Sequence, residues 1–180
     1  GGTPLVWLAR IADGLDAQIC AKLEYFNPGG SVKDRIGAAM IGAAEAKGLL
    51  VRGESVVVEP TSGNTGIAFV ALGRALGHPV RIFMPDWMSC ERKQLIRSYG
   101  GEIVPVSKEQ GGFIGSISMA ESFASENFHT FLPRQFENTA NARAHRDGTV
   151  AELLTQMGRI GATPTAFVAG VGTGGTVMGA

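Results

Sequence analysis

The chain has 180 residues, enough for one sizeable hydrophobic core or two small ones. Sixteen basic and sixteen acidic side chains cancel, which leaves no electrostatic footprint for a nucleic-acid partner. No apolar run reaches the roughly 18 residues that a membrane-spanning helix needs.

Two cysteines, Cys20 and Cys90, lie in different elements without metal-ligand spacing, and no secretory segment is visible. The expectation is a reduced, cytoplasmic setting with no metal site and no membrane partner. Glycine is the outlier: 26 residues, about twice the usual share of roughly 7%. They cluster at 29–30, 63–66, 111–115 and 170–175 without a repeat period, which predicts several close approaches of backbone to a ligand or a neighbour.

The chain opens with two predicted strands, Leu5–Leu8 and Gln18–Tyr25, around a turn-rich Ala12–Asp16. Regular alternation follows. A helix over about 32–47 stops at Gly48, and strand Ser55–Glu59 enters Pro60-Thr61-Ser62-Gly63-Asn64-Thr65-Gly66. A helix over about 64–76 stops at Gly77, and strand Val80–Met84 follows. Helix 89–99, strand Glu102–Val106, helix 113–126, strand 129–132, helix 140–157 and strand Ala166–Ala169 complete the pattern. Short apolar strands alternating with helices call for an α/β fold, a parallel sheet covered on both faces. The last strand runs into Gly170-Val171-Gly172-Thr173-Gly174-Gly175-Thr176 just before Ala180, so a fragment of a longer protein is expected.

Three glycine-rich helix starts carry the chemistry. In Asn27-Pro28-Gly29-Gly30-Ser31-Val32-Lys33-Asp34-Arg35, Ser31 is a natural N-cap and Asp34 completes an S-x-x-D capping box. Lys33 then stands at the positive end of the helix dipole, where the neutral, nucleophilic amine is favoured. An exposed and slightly frustrated lysine is the plain alternative. Pro60–Gly66 offers hydroxyls and free helix-start amides suited to a carboxylate or phosphate. Gly170–Thr176 contains G-x-G-x-x-G, a weak dinucleotide signal so late in a chain, and better suits one phosphate group held by Thr173 and Thr176. A primed lysine, a carboxylate cradle and a phosphate cradle together fit pyridoxal 5′-phosphate condensing with an amino acid. His78 reads as a turn or C-cap residue, His129 begins a strand, and His145 lies on a helix without a visible acid or nucleophile partner. Cys90 reads as a small buried side chain.

Further segments sharpen this: Thr3-Pro4-Leu5, Lys22-Leu23-Glu24, Met84-Pro85, Met88-Ser89-Cys90-Glu91-Arg92 and Gln135-Phe136. With the three glycine-rich starts and in this order, the chain resembles the cysteine synthase (O-acetylserine sulfhydrylase) family. That family shares its fold group with cystathionine beta-synthase and threonine dehydratase. The resemblance implies two open, mostly parallel twisted sheets with helices on both faces, the tryptophan-synthase-beta-like fold type II of pyridoxal-phosphate enzymes, with its C-terminal part cut short here. Residues 1–33 and 141–180 would belong to an incomplete larger, cofactor-phosphate-binding domain. Residues 34–140 would form a smaller mobile domain carrying the substrate-carboxylate loop.

By the same resemblance Lys33 forms the Schiff base with the cofactor and is the catalytic residue. Asn64 meets the cofactor's 3′-oxygen, and Gly172, Thr173, Gly174, Gly175 and Thr176 hold its phosphate. Thr61, Ser62, Gly63, Thr65 and Gln135 bind the substrate carboxylate. The implied reaction is β-replacement, making L-cysteine and acetate from O-acetyl-L-serine and sulfide. Cystathionine beta-synthase is the nearest alternative, since Gly29-Gly30 resembles that branch as well. A truncated, non-catalytic paralogue acting as a binding protein is the alternative from another class. The family implies a homodimer, and some members bind the C-terminal tail of serine acetyltransferase. Thr139 and Ala142 stand where close relatives often have proline, and Arg146–Thr155 matches more loosely.

Overall fold

The computed structural model describes residues 1–61 and 63–180. Strand β1 (Leu5–Trp7) pairs antiparallel with β2 (Cys20–Lys22), Val6 opposite Ala21. The second strand is shorter than its sequence suggests, because Glu24 turns away into a short 3₁₀ turn, Glu24–Phe26. Then come α1 (Lys33–Ala46), β3 (Val56–Pro60), α2 (Asn64–Ala75), β4 (Val80–Pro85), α3 (Cys90–Ser98), β5 (Glu102–Val106), α4 (Gly112–Glu126) and β6 (Thr130–Phe131).

Strands β3 to β6 form a parallel sheet in the order β5-β4-β3-β6. Side chains alternate between its faces, and each face is covered, as near-continuous apolar strands require. Val57, Ile82 and Met84 pack with Ile36, Met40, Phe69 and Ile96 from α1, α2 and α3. Val58, Phe83 and Val106 pack with Ala120 and the partly buried Met119 and Phe123 of α4. The chain steps outward from β3 to β4 to β5, then crosses back over the other face to place β6 on the far side of β3. The strand order therefore reverses between β3 and β6, and a crevice opens at their carboxyl ends.

Beyond the sheet, α5 (Ala140–Ala144) continues through a π-helical segment, His145–Val150, into α6 (Ala151–Arg159). A short final helix, α7 (Gly175–Gly179), lies against α5. Gly175 and Gly179 make that contact possible, since a Cβ on either would collide with the Asn141 side chain or the Ala142 carbonyl. The expected strand Ala166–Ala169 does not form. A strand needs a neighbour's amides and carbonyls, and no described strand lies beside it; Val168 is 93% exposed. The antiparallel β1–β2 pair is thus the only second sheet among the described residues.

Arg35 ties the sequence-distant parts together. Its guanidinium donates to both carboxylate oxygens of Glu24 at 2.7 and 2.9 Å, and to both of Glu152 at 2.9 and 2.7 Å. Lys22 Nζ adds a bond to Glu152 at 2.8 Å and one to the Thr3 carbonyl at 2.6 Å. Burial alone would raise Glu24, but hydrogen bonds from Arg35, Thr3 and Asn27 outweigh it and hold the carboxyl low. Glu152 is held low chiefly by Arg35. Arg35→Met strands two carboxylates and should lower the unfolding free energy by about 3 kcal/mol at neutral pH in a urea titration. Both native carboxyls titrate below their ordinary value of 4.5, so this stabilisation is complete above that pH and is lost as the pH falls below it. Glu152→Gln should flatten the acid limb of the stability profile; an unchanged limb would place the acid sensitivity elsewhere.

Candidate active site

Lys33 is the first residue of α1 and is half-buried. Its backbone N–H donates to Ser31 Oγ at 3.2 Å, so Ser31 caps the helix as its sequence suggests. The reciprocal half of the capping box is absent. Asp34 Oδ2 instead accepts from the Gly29 N–H at 2.6 Å and closes the Pro28–Ser31 turn that presents Lys33. Removal from water lowers the Lys33 ammonium from its ordinary value, and no ion-pair partner offsets this among the described residues. The neutral amine is therefore closer to hand than on a surface lysine.

The carboxylate loop follows β3 into the crevice where the strand order reverses. Thr61 is buried and its Oγ1 accepts from the Gly63 N–H at 3.2 Å. Gly66 lies under Thr61, a Cβ there standing 2.6 Å from Thr61 Cγ2, so only glycine lets the loop fold onto its own helix start. Asn64, first in α2, is exposed. Ser62, named with this loop, lies outside the described residues. Gln135 arrives from the segment after β6, 70 residues from Thr65, whose Oγ1 donates to Gln135 Oε1 at 2.8 Å. Gln135 Nε2 in turn donates to Glu59 Oε1 at 3.1 Å.

The loop of Gly172–Thr176 is joined to this chain by Asn141. Its Nδ2 donates to the Gln135 carbonyl at 2.9 Å and to Thr173 Oγ1 at 2.8 Å. Because Thr173 accepts there, its own hydroxyl proton stays available to an anion. Thr176 Oγ1 lies 3.3 Å from His145 Nε2, and His145 Nδ1 lies 2.9 Å from Thr149 Oγ1. Burial, then the charges of Lys33 and Arg35, push His145 down to about 4, so its imidazole is neutral. The Lys33 charge thus reaches the residue on which Thr176 rests. Gly172, Thr173, Gly174, Gly175 and Thr176 present a turn of glycine amides, with Gly174 at φ 79°, and two threonine hydroxyls. This donor set suits a phosphomonoester, and the lysine nearby suits the carbonyl end of the same molecule; the residues present fit pyridoxal phosphate.

The structure thus brings Thr65, Gln135 and the loop of Gly172–Thr176 into one hydrogen-bonded chain, and the Lys33 charge is felt at His145 beside that loop. Asn141, His145 and Glu59 escape a reading of the sequence. Each has at least one partner far along the chain; for Asn141, only its place in Asn138-Thr139-Ala140-Asn141-Ala142 gave a signal. His145 has hydroxyl partners and no acid. His78 does close the end of α2, its N–H bonding the Gly73 carbonyl at 2.8 Å, and its ring also meets Glu45 at 2.9 Å. Cys90 is exposed at the start of α3 rather than buried, because Ser89 caps that helix on the sheet's open edge. No cluster of metal-ligating side chains occurs among the described residues, and no described helix is long and apolar enough to cross a membrane.

Comparison with known proteins converges on one group. Residues 1–180 match the family model for pyridoxal-phosphate dependent enzymes. A cysteine synthase from Staphylococcus aureus is 46% identical over 179 residues, which are 99% of this chain and 56% of the relative. The crystal structure of a hydrogen sulfide-producing enzyme from Fusobacterium nucleatum superposes with a TM-score of 0.84 at 50% identity, covering 90% of this chain and 48% of that one. That of an O-ureido-L-serine synthase gives a TM-score of 0.91 at 42% identity, covering 99% of this chain and 55% of that one. The chain therefore spans little more than half the length of the relatives it matches. Matched along its whole length by family, sequence and fold, the chain belongs to the pyridoxal-phosphate dependent enzymes related to cysteine synthase, with the tryptophan-synthase-beta-like fold type II.

Proposed function

We propose that the protein of which this chain forms part catalyses β-replacement on O-acetyl-L-serine, with sulfide as the incoming nucleophile and L-cysteine and acetate as products. The observation that carries this reading is the single hydrogen-bonded chain from Thr65 through Gln135 and Asn141 to Thr173. It ties the Thr61–Gly66 loop to the Gly172–Thr176 loop, which supports reading them as carboxylate and phosphate sites on one ligand. The similarity to an enzyme named cysteine synthase supports sulfide as the nucleophile. The similarity to O-ureido-L-serine synthase supports the same serine-side chemistry with a different incoming group.

Pyridoxal phosphate, when bound, supplies an electron sink for the bond being broken at the substrate α-carbon. Gly172–Thr176 hold its phosphate with neutral donors, and Asn64 orients its ring oxygen. Thr61, Ser62, Gly63, Thr65 and Gln135 bind the amino-acid carboxylate and so fix which α-carbon bond faces Lys33. The Lys33 amine would hold the cofactor's carbonyl end and, when free, would take the substrate α-proton at Nζ. It later returns that proton, so one side chain serves as tether, base and acid without a histidine relay. Residues 34–140 move as the smaller domain and bring the Thr61–Gly66 loop down on the substrate, which excludes water during the elimination. A homodimer completes the assembly.

Borohydride reduction of the cofactor-loaded protein followed by peptide mass mapping should place the pyridoxyl group on Lys33. Its recovery on another lysine would sink the assignment. Lys33→Ala should lower turnover by about a thousandfold or more while changing stability by under about 1 kcal/mol. For the substrate, kcat/KM with sulfide should exceed that with homocysteine by at least about tenfold. The reverse preference would make the protein a cystathionine beta-synthase, and cofactor binding without turnover of either would favour a binding protein.

A further inference from the structure

Glu59 has no part in the steps above, yet it ends the polar chain that reaches the carboxylate loop. It is the penultimate residue of β3, 1% exposed, and its Oε1 accepts from Gln135 Nε2 at 3.1 Å. Its second oxygen, Oε2, has no partner among the described residues. Glu59 also lines, with Phe113, Ile117, Leu132 and Phe136, a cavity of about 150 Å³. The charged groups on that cavity are Arg134, Glu121 and Glu137. They engage one another, Arg134 reaching Glu121 at 3.4 Å and Glu137 at 3.6 Å, and none pairs with Glu59. A carboxylate here would be a buried charge with a single hydrogen bond, which is why burial pushes Glu59 up to about 8.

A primary amide has an acceptor on one side and a donor on the other, of nearly the same shape, so a half turn of the Gln135 amide exchanges them. An ionised Glu59 only accepts. It draws the Gln135 NH₂ and leaves the Gln135 oxygen facing Thr65, whose single hydroxyl proton is then committed to that oxygen. This is the arrangement the structure shows. A neutral Glu59 in the same arrangement would leave its own hydroxyl on the buried Oε2, where no acceptor meets it among the described residues. After the half turn it donates from Oε1 to the Gln135 oxygen, the Gln135 NH₂ donates to Thr65 Oγ1, and the Thr65 proton is free. An incoming carboxylate accepts only, so it is bound by the second arrangement and meets lone pairs in the first.

We propose that Glu59 is a positioning residue that works as a neutral acid: by donating to Gln135 it sets the direction of the Glu59–Gln135–Thr65 chain so that Thr65 offers its proton to the substrate carboxylate. This rests on the reading of Thr65 and Gln135 as carboxylate-binding residues.

The test compares the cofactor-loaded whole protein with Glu59→Gln, which supplies a donor to Gln135 at every pH. The probe is L-alanine, an amino acid with no leaving group, titrated by the change in cofactor absorbance. At about pH 6.5 the two dissociation constants should agree within about twofold. At about pH 9 the wild-type protein should bind about tenfold more weakly than the variant, the effect of one lost bond to a charged acceptor. Effects of pH on the substrate amine and on Lys33 are common to both proteins and cancel in the ratio. Parallel pH profiles, with Thr65→Val still weakening L-alanine, would overturn the role of Glu59 and leave the carboxylate site standing. Unchanged L-alanine binding in Thr65→Val would instead remove the carboxylate-site reading itself. Infrared titration of the cofactor-free protein gives a readout independent of binding: a protonated-carboxyl stretch at about pH 7 that disappears on going to about pH 9 and is missing from Glu59→Gln. Should that variant not fold, the absence of any such band from the wild-type protein at about pH 7 would overturn the proposal.

Discussion

A parallel strand whose two neighbours are reached over opposite faces of the sheet leaves a crevice at its carboxyl end, and β3 is that strand. The loops leaving β3 and β6 must part there, one toward α2 and one toward α5, and the gap between them receives backbone and side chains from both. This is why Thr65 and Gln135 meet although 70 residues separate them. It is also why the meeting point is dry. Glu59, near the end of β3, is 1% exposed, and Thr65 and Gln135 are buried with it. Polar groups placed at such a point cannot turn to water, so they must satisfy one another, and the chain of bonds through Gln135 and Asn141 is the outcome.

A second constraint acts on the other side of Lys33. The turn that presents the lysine is fixed by Asp34 on the Gly29 amide, and the next residue but one, Arg35, is locked between Glu24 and Glu152. The guanidinium suits this place because its planar fork meets two carboxylates in bidentate fashion, which a lysine ammonium could not do. The π-helical turn at His145–Val150 belongs to the same arrangement. Residues seven apart share one face of a regular α-helix, and the wider π-helical turn rotates them apart, so that His145 meets Thr176 while Glu152 meets Arg35. Lys33 is therefore held from both ends by side chains that never touch it.

The alternation of strands and helices was legible because the central strands β3 and β4 are buried on both faces, which leaves apolar runs broken by glycine and proline. The three glycine-rich starts were legible because each packs its chemistry into contiguous residues. What stayed hidden depends on partners far along the chain. Glu59 reads as an ordinary end of an apolar strand, and only Gln135, 76 residues on, shows that it is buried and bonded. His145 looks unpartnered in sequence because its partners are hydroxyls, Thr149 one turn away and Thr176 beyond the next helix. Ala166–Ala169 has the composition of a strand, but composition cannot supply the neighbouring strand that a ladder requires. The capping box failed for a local reason: Asp34 found a stronger use five residues back, on the Gly29 amide, than on the N–H of Ser31.

The electrostatics of the site follow from what it leaves out. On the proposed reading the two loops recognise two anionic groups, yet they are built from hydroxyls, amides and a neutral imidazole. A cation placed in either cradle would attract its anion more strongly, but it would also stand close to Lys33. Like charges at such range drive a lysine further from its charged state or drive the anion site apart. His145 shows the balance, since it already yields its proton under burial and the Lys33 and Arg35 charges. Neutral donors avoid the conflict. They bind an anion without fixing the charge of the lysine, so the same Nζ can hold a proton at one step and lack it at the next. That freedom comes from burial without an ion-pair partner, which is the condition the Pro28–Ser31 turn and the Arg35 lock together impose on Lys33.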